Sequence, residues 1–307
     1  MTRPAPRSID EYLKQLRESL AGEDPALIQD ALYDAEEYLR AEVAANAGKS
    51  EADVLELIAS TYGAPDEVAA AYRETEVKVK AALRTPPARP RRENPDALSR
   101  FFSIYSDPRA YTSLFYMLLA MATGILYFTF TVAGLSMSLG LSVLIIGLPF
   151  FLVFIGMTRV MSLGEGRLLE AITGERMPRR PVHPGARAGF MARIGEMLKD
   201  SRTWTTLAYF LLMLPLGIIY FTTVTAGLTT GLALTAVPFL RLVIYFSAGS
   251  AWVQHVDLGP GWLENPVAYI LCGLLGIAIL TGLMHLARGL GRMHARMAKA
   301  LLVTHGA

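Results

Sequence analysis

Residues 107–135 read DPRAYTSLFYMLLAMATGILYFTFTVAGL, and residues 200–228 read DSRTWTTLAYFLLMLPLGIIYFTTVTAGL. The second stretch repeats the first without a gap. Asp107, Arg109, Thr112, Leu114 and Tyr116 match Asp200, Arg202, Thr205, Leu207 and Tyr209, with Tyr111 against Trp204. Further on, Gly124-Ile125, Tyr127-Phe128-Thr129 and Ala133-Gly134-Leu135 match Gly217-Ile218, Tyr220-Phe221-Thr222 and Ala226-Gly227-Leu228. Charged, glycine and aromatic positions all coincide, so this is an internal repeat and not generic hydrophobicity. Each copy holds enough apolar residues to cross a ~30 Å hydrocarbon layer, which takes about 20 as a helix. Lipid offers backbone N–H and C=O groups no partner, so such runs are expected to be helical.

Outward from the repeat, the chain of 307 residues is 52% hydrophobic with a mean hydropathy of +0.35. That average hides a division: the first hundred residues are rich in Glu, Asp, Lys and Arg. The expected fold class is all-α, a small cytoplasmic four-helix domain at 8–83 and a polytopic helical membrane domain at 105–302. Repeat one covers 105–175, a cytoplasmic loop 163–203, and repeat two 200–302. Between the domains lies a linker, 84–104, rich in Pro and Arg. Its proline run disfavours helix and favours an extended spacer. Its arginines contact anionic headgroups or simply mark the inner flank of a span.

Apolar segments are read at 112–135, 138–161, 206–228, 231–249 and 266–287. Arginines crowd the loop 163–203, and Arg288, Arg292, Arg296 and Lys299 mark the tail. The positive-inside rule places both in the cytoplasm and requires an even number of crossings between them. The segment 231–249 is the weak one, because it is short, contains Pro238 and holds Arg241. It is read as re-entrant, interfacial or broken, giving four crossings; five is the alternative. The tail is expected to lie as an amphipathic helix along the inner surface.

Before the linker, helix punctuation is dense. Ser8 with Glu11, and Ser50 with Asp53, form capping signatures. Pro25 and Pro65 open helices, where the missing N–H costs nothing. Ile9, Tyr12, Leu13, Leu16 and Leu20 recur at helical spacing, as do Leu27, Ile28, Leu32, Leu39 and Val43. Asp34, Glu36 and Glu37 make an exposed acidic face, either a docking face or an ordinary solvated one.

Two resemblances follow. Tyr12-Leu13-x-x-Leu16, Asp34-x-Glu36-Glu37, Gly48-Lys49-Ser50 and Tyr62-Gly63-x-Pro65-x-x-Val68-Ala69-x-x-Tyr72 resemble the HTH-associated α-helical signalling (HAAS) domain. That resemblance implies a signalling unit associated with PadR-type transcriptional regulators. Arg202-x-Trp204 before Tyr209, the Gly-Leu-Pro149 element and the closing His285-Leu-Ala-Arg288-Gly-Leu-Gly-Arg292 resemble the sensor domain found upstream of histidine kinases in actinobacteria. No kinase follows here, so output is expected through the N-terminal domain or a separate partner.

Candidate chemistry is sparse. Gly48-Lys49-Ser50 lacks the rest of a phosphate loop. Cys272 is the only cysteine, which excludes an intrachain disulfide. The histidines are scattered, so neither a metal nor another cofactor is expected, and the protein is read as no enzyme. Arg241 either snorkels or pairs within the helix bundle, or binds an anionic lipid headgroup or ligand. His255 and Asp257, with Glu264 and the interfacial anchors Trp252 and Trp262, form the candidate external input. A net charge of +2 gives no field for nucleic acid. Without an apolar h-region at the start, no cleaved signal peptide is expected. The reading is therefore a non-catalytic signalling protein of a bacterial inner membrane, N-terminus in the cytoplasm. Its expected partners are membrane lipids, a cytoplasmic protein such as a PadR-type regulator, and a possible second copy. A scaffold subunit of a membrane complex is the alternative, and a small transporter is disfavoured by the apolar spans.

Overall fold

A computed structural model describes residues 5–83, 97–143, 146–180, 195, 199–247 and 265–303. These residues are helical with short connections, and no strand occurs among them. The order is α1 (Ile9–Ser19), α2 (Pro25–Ala45), α3 (Glu51–Ala59), α4 (Pro65–Leu83) and α5 (Ala97–Phe102). A 3-10 turn (Ser103–Ser106) leads into α6 (Pro108–Ser142) and α7 (Gly147–Thr173). Then come α8 (Ser201–Phe246) and α9 (Pro266–Leu302). The described parts of Met1–Pro86, Thr129–Leu211 and His294–Ala307 make one unit, and those of Pro87–Phe128 and Leu212–Met293 a second.

Helices α1 to α4 close on their own core. Tyr12, Leu16 and Leu20 meet Leu27, Ala31, Ala35 and Leu39, with Val54, Leu55, Ile58 and Ala69 completing it. The caps match the sequence closely. Ser50 and Asp53 bond reciprocally, Asp53 N to Ser50 Oγ at 3.2 Å and Ser50 N to Asp53 Oδ2 at 3.3 Å. The Ser50 hydroxyl also donates to Asp53 Oδ2 at 2.6 Å, and this bond first, then the Ser50 backbone N–H, holds the exposed Asp53 carboxyl below its ordinary value. At α1 the box is shifted by one: Ser8 caps Glu11 N at 3.2 Å, but Glu11 accepts from Arg7 N, not from Ser8. Gly63 (φ 101°) needs the left-handed region that lets the chain turn into α4. Its carbonyl accepts from the Tyr12 hydroxyl at 2.9 Å.

Four helices, α6 to α9, are long and apolar enough to cross a membrane. Two expected boundaries move. Helix α6 continues to Ser142, and α8 runs unbroken through Pro215, Thr229-Thr230 and Pro238 to Phe246. The segment 231–249 is thus no separate re-entrant element among the described residues. Glycine and threonine are not stops where backbone groups have nowhere else to go. The threonine hydroxyls fold back onto their own helix: Thr229 donates to Thr225 O at 2.8 Å, and Thr235 to Gly231 O at 2.7 Å. The tail also differs from expectation. It prolongs α9, and Ala295, Ala298, Leu302 and Val303 are buried against protein, so it is not an amphipathic helix lying free on a surface.

The repeat is visible in contacts as well as in sequence. Asp107 Oδ1 caps α6 by accepting from Arg109 N, and Asp200 Oδ1 caps α8 by accepting from Arg202 N, each at 3.0 Å. The other carboxylate oxygens reach across the repeat. Asp107 pairs with Arg288 of α9 at 2.9 Å, and Asp200 with Arg159 of α7 at 3.1 Å. Glycines follow the same rule. A Cβ on Gly134 would strike Phe154 of α7, and one on Gly227 would touch Leu283 of α9. Within the second unit, Gly124 lies against the Met213 carbonyl and Gly217 against that of Ala120. Ala120 and Met213 are themselves repeat equivalents, so the two leading helices cross at matched points. Small residues at such crossings let helix backbones approach closely in lipid.

Candidate functional site

The arginines of the loop 163–203 were expected to act as topology signals. One of them does something more specific. Helix α7 ends at Gly174, whose φ of 72° turns the chain out of the helix. The following strap, residues 174–180, is neither helix nor strand and meets α2 and α4 through Asp30 and Glu76. Arg176, 8% exposed, donates from Nη2 to Asp30 Oδ2 at 2.8 Å and from Nε to Glu76 Oε2 at 3.3 Å. Its Nη1 stands 3.6 Å from Glu170 Oε2, back on α7. One guanidinium therefore joins a membrane helix to two helices of the N-terminal domain.

Asp30 does more than balance that charge. Its Oδ1 accepts the backbone N–H of Arg179 and of Arg180, both at 2.8 Å. Burial pushes the Asp30 carboxyl above the ordinary carboxylate value, against the opposing pull of Arg176 and the two amides. Burial also works against the Arg176 charge, but Asp30 and then Glu76 outweigh it, so its proton is held more firmly than usual. Arg180 pairs with Asp34 at 2.8 Å and lies over the Tyr33 ring, while Gln29 donates to the Arg180 carbonyl at 2.5 Å. Arg179 pairs with Glu170 at 2.6 Å. A second tie runs from the end of α9, where Lys299 meets Asp24 at 2.7 Å and Glu175 at 3.2 Å. One acceptor stays open: Glu76 is 3% exposed, yet its Oε1 has no hydrogen bond among the described residues. Lys80 Nζ stands 3.9 Å from that oxygen.

A second buried polar group sits where α7, α8 and α9 meet. The Tyr209 hydroxyl is 3.0 Å from Glu165 Oε1 and 3.0 Å from His294 Nε2, and all three residues are buried. Glu165 and His294 stand six residues beyond Arg159 and Arg288, so the repeat places a carboxylate in one copy and an imidazole in the other.

The residues singled out from sequence fare unevenly. Of the acidic face, Asp34 is engaged by Arg180 and by the Tyr72 hydroxyl, Glu36 is paired with Arg40 at 2.6 Å, and Glu37 is exposed. Arg241 is half-exposed near the end of α8 and not in the middle of a span. His255 and Asp257 lie outside the described residues. No three His, Cys, Asp or Glu side chains gather as a metal site among the described residues. Sequence reading missed Asp30, Glu76, Glu170 and Arg176. A signal existed for Asp30, which sits between Leu27 and Ala31 on the buried side of α2.

Four long apolar helices, an internal repeat and a polar strap at one end define a polytopic helical membrane protein. Residues 116–302 match the family described as "Putative sensor". The match spans more than half of the chain, which therefore belongs to that sensor family. Neither the curated proteins nor the solved structures contain a match.

Proposed function

We propose that this chain is a non-catalytic membrane sensor whose N-terminal four-helix unit carries the output to a cytoplasmic partner. The membrane helices receive the input, and the N-terminus faces the cytoplasm of a bacterial inner membrane. The observation that carries this reading is the Arg176 junction. A buried charge shared by α7, α2 and α4 cannot be separated cheaply, so any shift of α7 must move the N-terminal unit or break the contact. The HAAS resemblance of residues 8–75 points to a transcriptional regulator of the PadR type as the partner.

The test compares transcripts in three strains: wild type, a deletion, and the deletion carrying full-length R176A. The deletion is expected to alter a defined set of transcripts, and R176A, present in the membrane at normal amount, to mis-set the same ones. If the deletion changes transcripts that R176A leaves alone, the junction is not the route. A deletion that changes nothing refutes a transcriptional output.

A further inference from the structure

We infer that the α2–α4 face is a receptor for a non-helical, arginine-bearing segment. At rest the chain's own Arg176–Arg180 strap occupies it, and the output partner engages by presenting a similar segment in its place. This inference rests on the reading of the N-terminal unit as the output element, and goes further by naming what that unit binds.

The strap is held as a bound peptide is held, through main chain and side chain together. Asp30 takes two consecutive backbone amides on one oxygen and a guanidinium on the other. Gln29 grips the Arg180 carbonyl. Within the strap, Met177 and Pro178 are buried. Asp34 takes the second arginine, and Tyr33 lies under it. Guanidinium is favoured over ammonium here because a planar fork can serve Asp30 and Glu76 at once, whereas a point charge serves one well.

The occupant in place is not the best one the face could take. The face presents Asp30, Asp34 and Glu76, and the strap brings Arg176, Arg179 and Arg180. Arg179, however, turns back to Glu170 of α7, and Glu76 Oε1 is buried without a hydrogen bond among the described residues. A segment with one more donor directed at Glu76 would satisfy an acceptor that the strap leaves open, and buried acceptors favour being filled. Tethering compensates for the mismatch, since a linked segment competes at high effective concentration. Release takes the form of exchange: as a shift of α7 draws the strap away, the partner's arginines take over Asp30 and Glu76, so neither buried carboxylate is left bare.

The probe is a fluorescent peptide of residues 174–180, Gly-Glu-Arg-Met-Pro-Arg-Arg, added to full-length protein in detergent. It should bind R176A/R179A/R180A at least tenfold more tightly than wild type, because the variant strap no longer competes. Adding D30N and E76Q to that variant should abolish the gain. A peptide with lysine at its three arginine positions should bind at least tenfold more weakly. Equal binding to wild type and the triple variant, binding that survives D30N/E76Q, equal binding of the lysine peptide, or no binding at all would each overturn the inference. Should the triple variant fail to fold, wild-type protein serves: excess arginine peptide should speed hydrogen exchange at the Arg179 and Arg180 amides, and the lysine peptide should not. No acceleration counts against the receptor. Transcripts mis-set by R176A alongside a failed peptide experiment remove only the receptor. Peptide binding without any transcript change removes only the output role.

Discussion

Arg176 and Asp30, separated by 146 positions in the chain, face each other at 2.8 Å with both side chains more than nine-tenths buried. A buried pair contributes little net stability compared with a well-packed apolar pair, but removing one partner strands the other. D30A should therefore cost about 3–5 kcal/mol at the junction. It also frees the Arg179 and Arg180 amides, so their hydrogen exchange should accelerate by roughly 10²-fold or more, since every 1.4 kcal/mol is tenfold. R176M paired with D30L should not recover that loss, because Glu76 and Glu170 lose Arg176 and the two amides lose their acceptor. If D30A leaves those two amides as protected as in wild type, the strap is not held by Asp30.

The crossing of α6 and α8 gives a packing prediction. A Cβ on Gly124 would sit 2.5 Å from the Met213 carbonyl oxygen, and one on Gly217 would sit 2.4 Å from that of Ala120. Backbone cannot rotate away, so G124A and G217A should each cost about 1–3 kcal/mol by overpacking. Gly140 and Gly282 meet nothing within 4 Å. G140A and G282A should be neutral or stabilising by up to about 1 kcal/mol, from helix propensity alone. Thermal unfolding in detergent ranks the four, and similar values for all of them would mean that the helices do not cross at these glycines.

The exchanged Asp–Arg pairs separate capping from charge. Asp107 both caps α6 and pairs with Arg288, which is 40% exposed. A pair that open to its surroundings adds about 0–1 kcal/mol, whereas a lost N-cap costs about 0.5–2 kcal/mol. D107N keeps a capping oxygen and loses only the pair, as does R288Q. D107A loses both. The expected order of destabilisation is D107A above D107N, with D107N close to R288Q, and the same order should hold for Asp200 and Arg159. Equal effects of D107A and D107N would mean the cap contributes nothing.

What could be read in advance follows from how local each signal is. The repeat, the cap at Ser50, and the core stripe from Tyr12 to Leu39 are patterns of near neighbours in sequence. The ends of the long helices were not legible at 135–138 or 228–231, because Thr229 and Gly231 break helices in water but not in lipid. The junction was hidden for a different reason. Arg176 looked like one more positive charge beside a span, and its partners Asp30 and Glu76 lie on helices of another domain. Asp34 was read as part of a face that is either a docking face or a solvated one; in the structure it pairs with the chain's own Arg180.

Orientation is open to a direct chemical test. Cys272 is the only cysteine, so C272A gives a background without native thiols. With N-terminus and tail both inside, K49C and R296C should resist a membrane-impermeant thiol reagent in intact cells and react after lysis. I146C, in the connection between α6 and α7, should react from outside. Labelling of R296C from outside would leave an odd number of crossings and remove the four-crossing topology.

Three tyrosines of the N-terminal unit set its response to alkali. Burial pushes the Tyr62 hydroxyl up to about 12, with Asp34 and Tyr38 adding to it. Burial raises Tyr12 and Tyr72 further, and Tyr72 also donates to Asp34 at 3.0 Å. Unfolded tyrosine titrates near 10. The folded state therefore resists ionisation that the unfolded chain accepts readily. The stability this provides is complete below about pH 10 and drains away as pH rises through 12, where the unfolded form is drawn off by deprotonation. Replacing Tyr72 by Phe removes a hydrogen bond and should cost about 0.5–1.5 kcal/mol at pH 8. The same variant carries one group fewer to ionise, so its loss between pH 10 and 12 should be shallower than that of wild type. Denaturant unfolding at pH 8 and pH 11 should show the gap between Y72F and wild type narrowing as pH rises. A gap that stays constant would mean that Tyr72 titrates as it does in the unfolded chain and that its burial is not retained in solution.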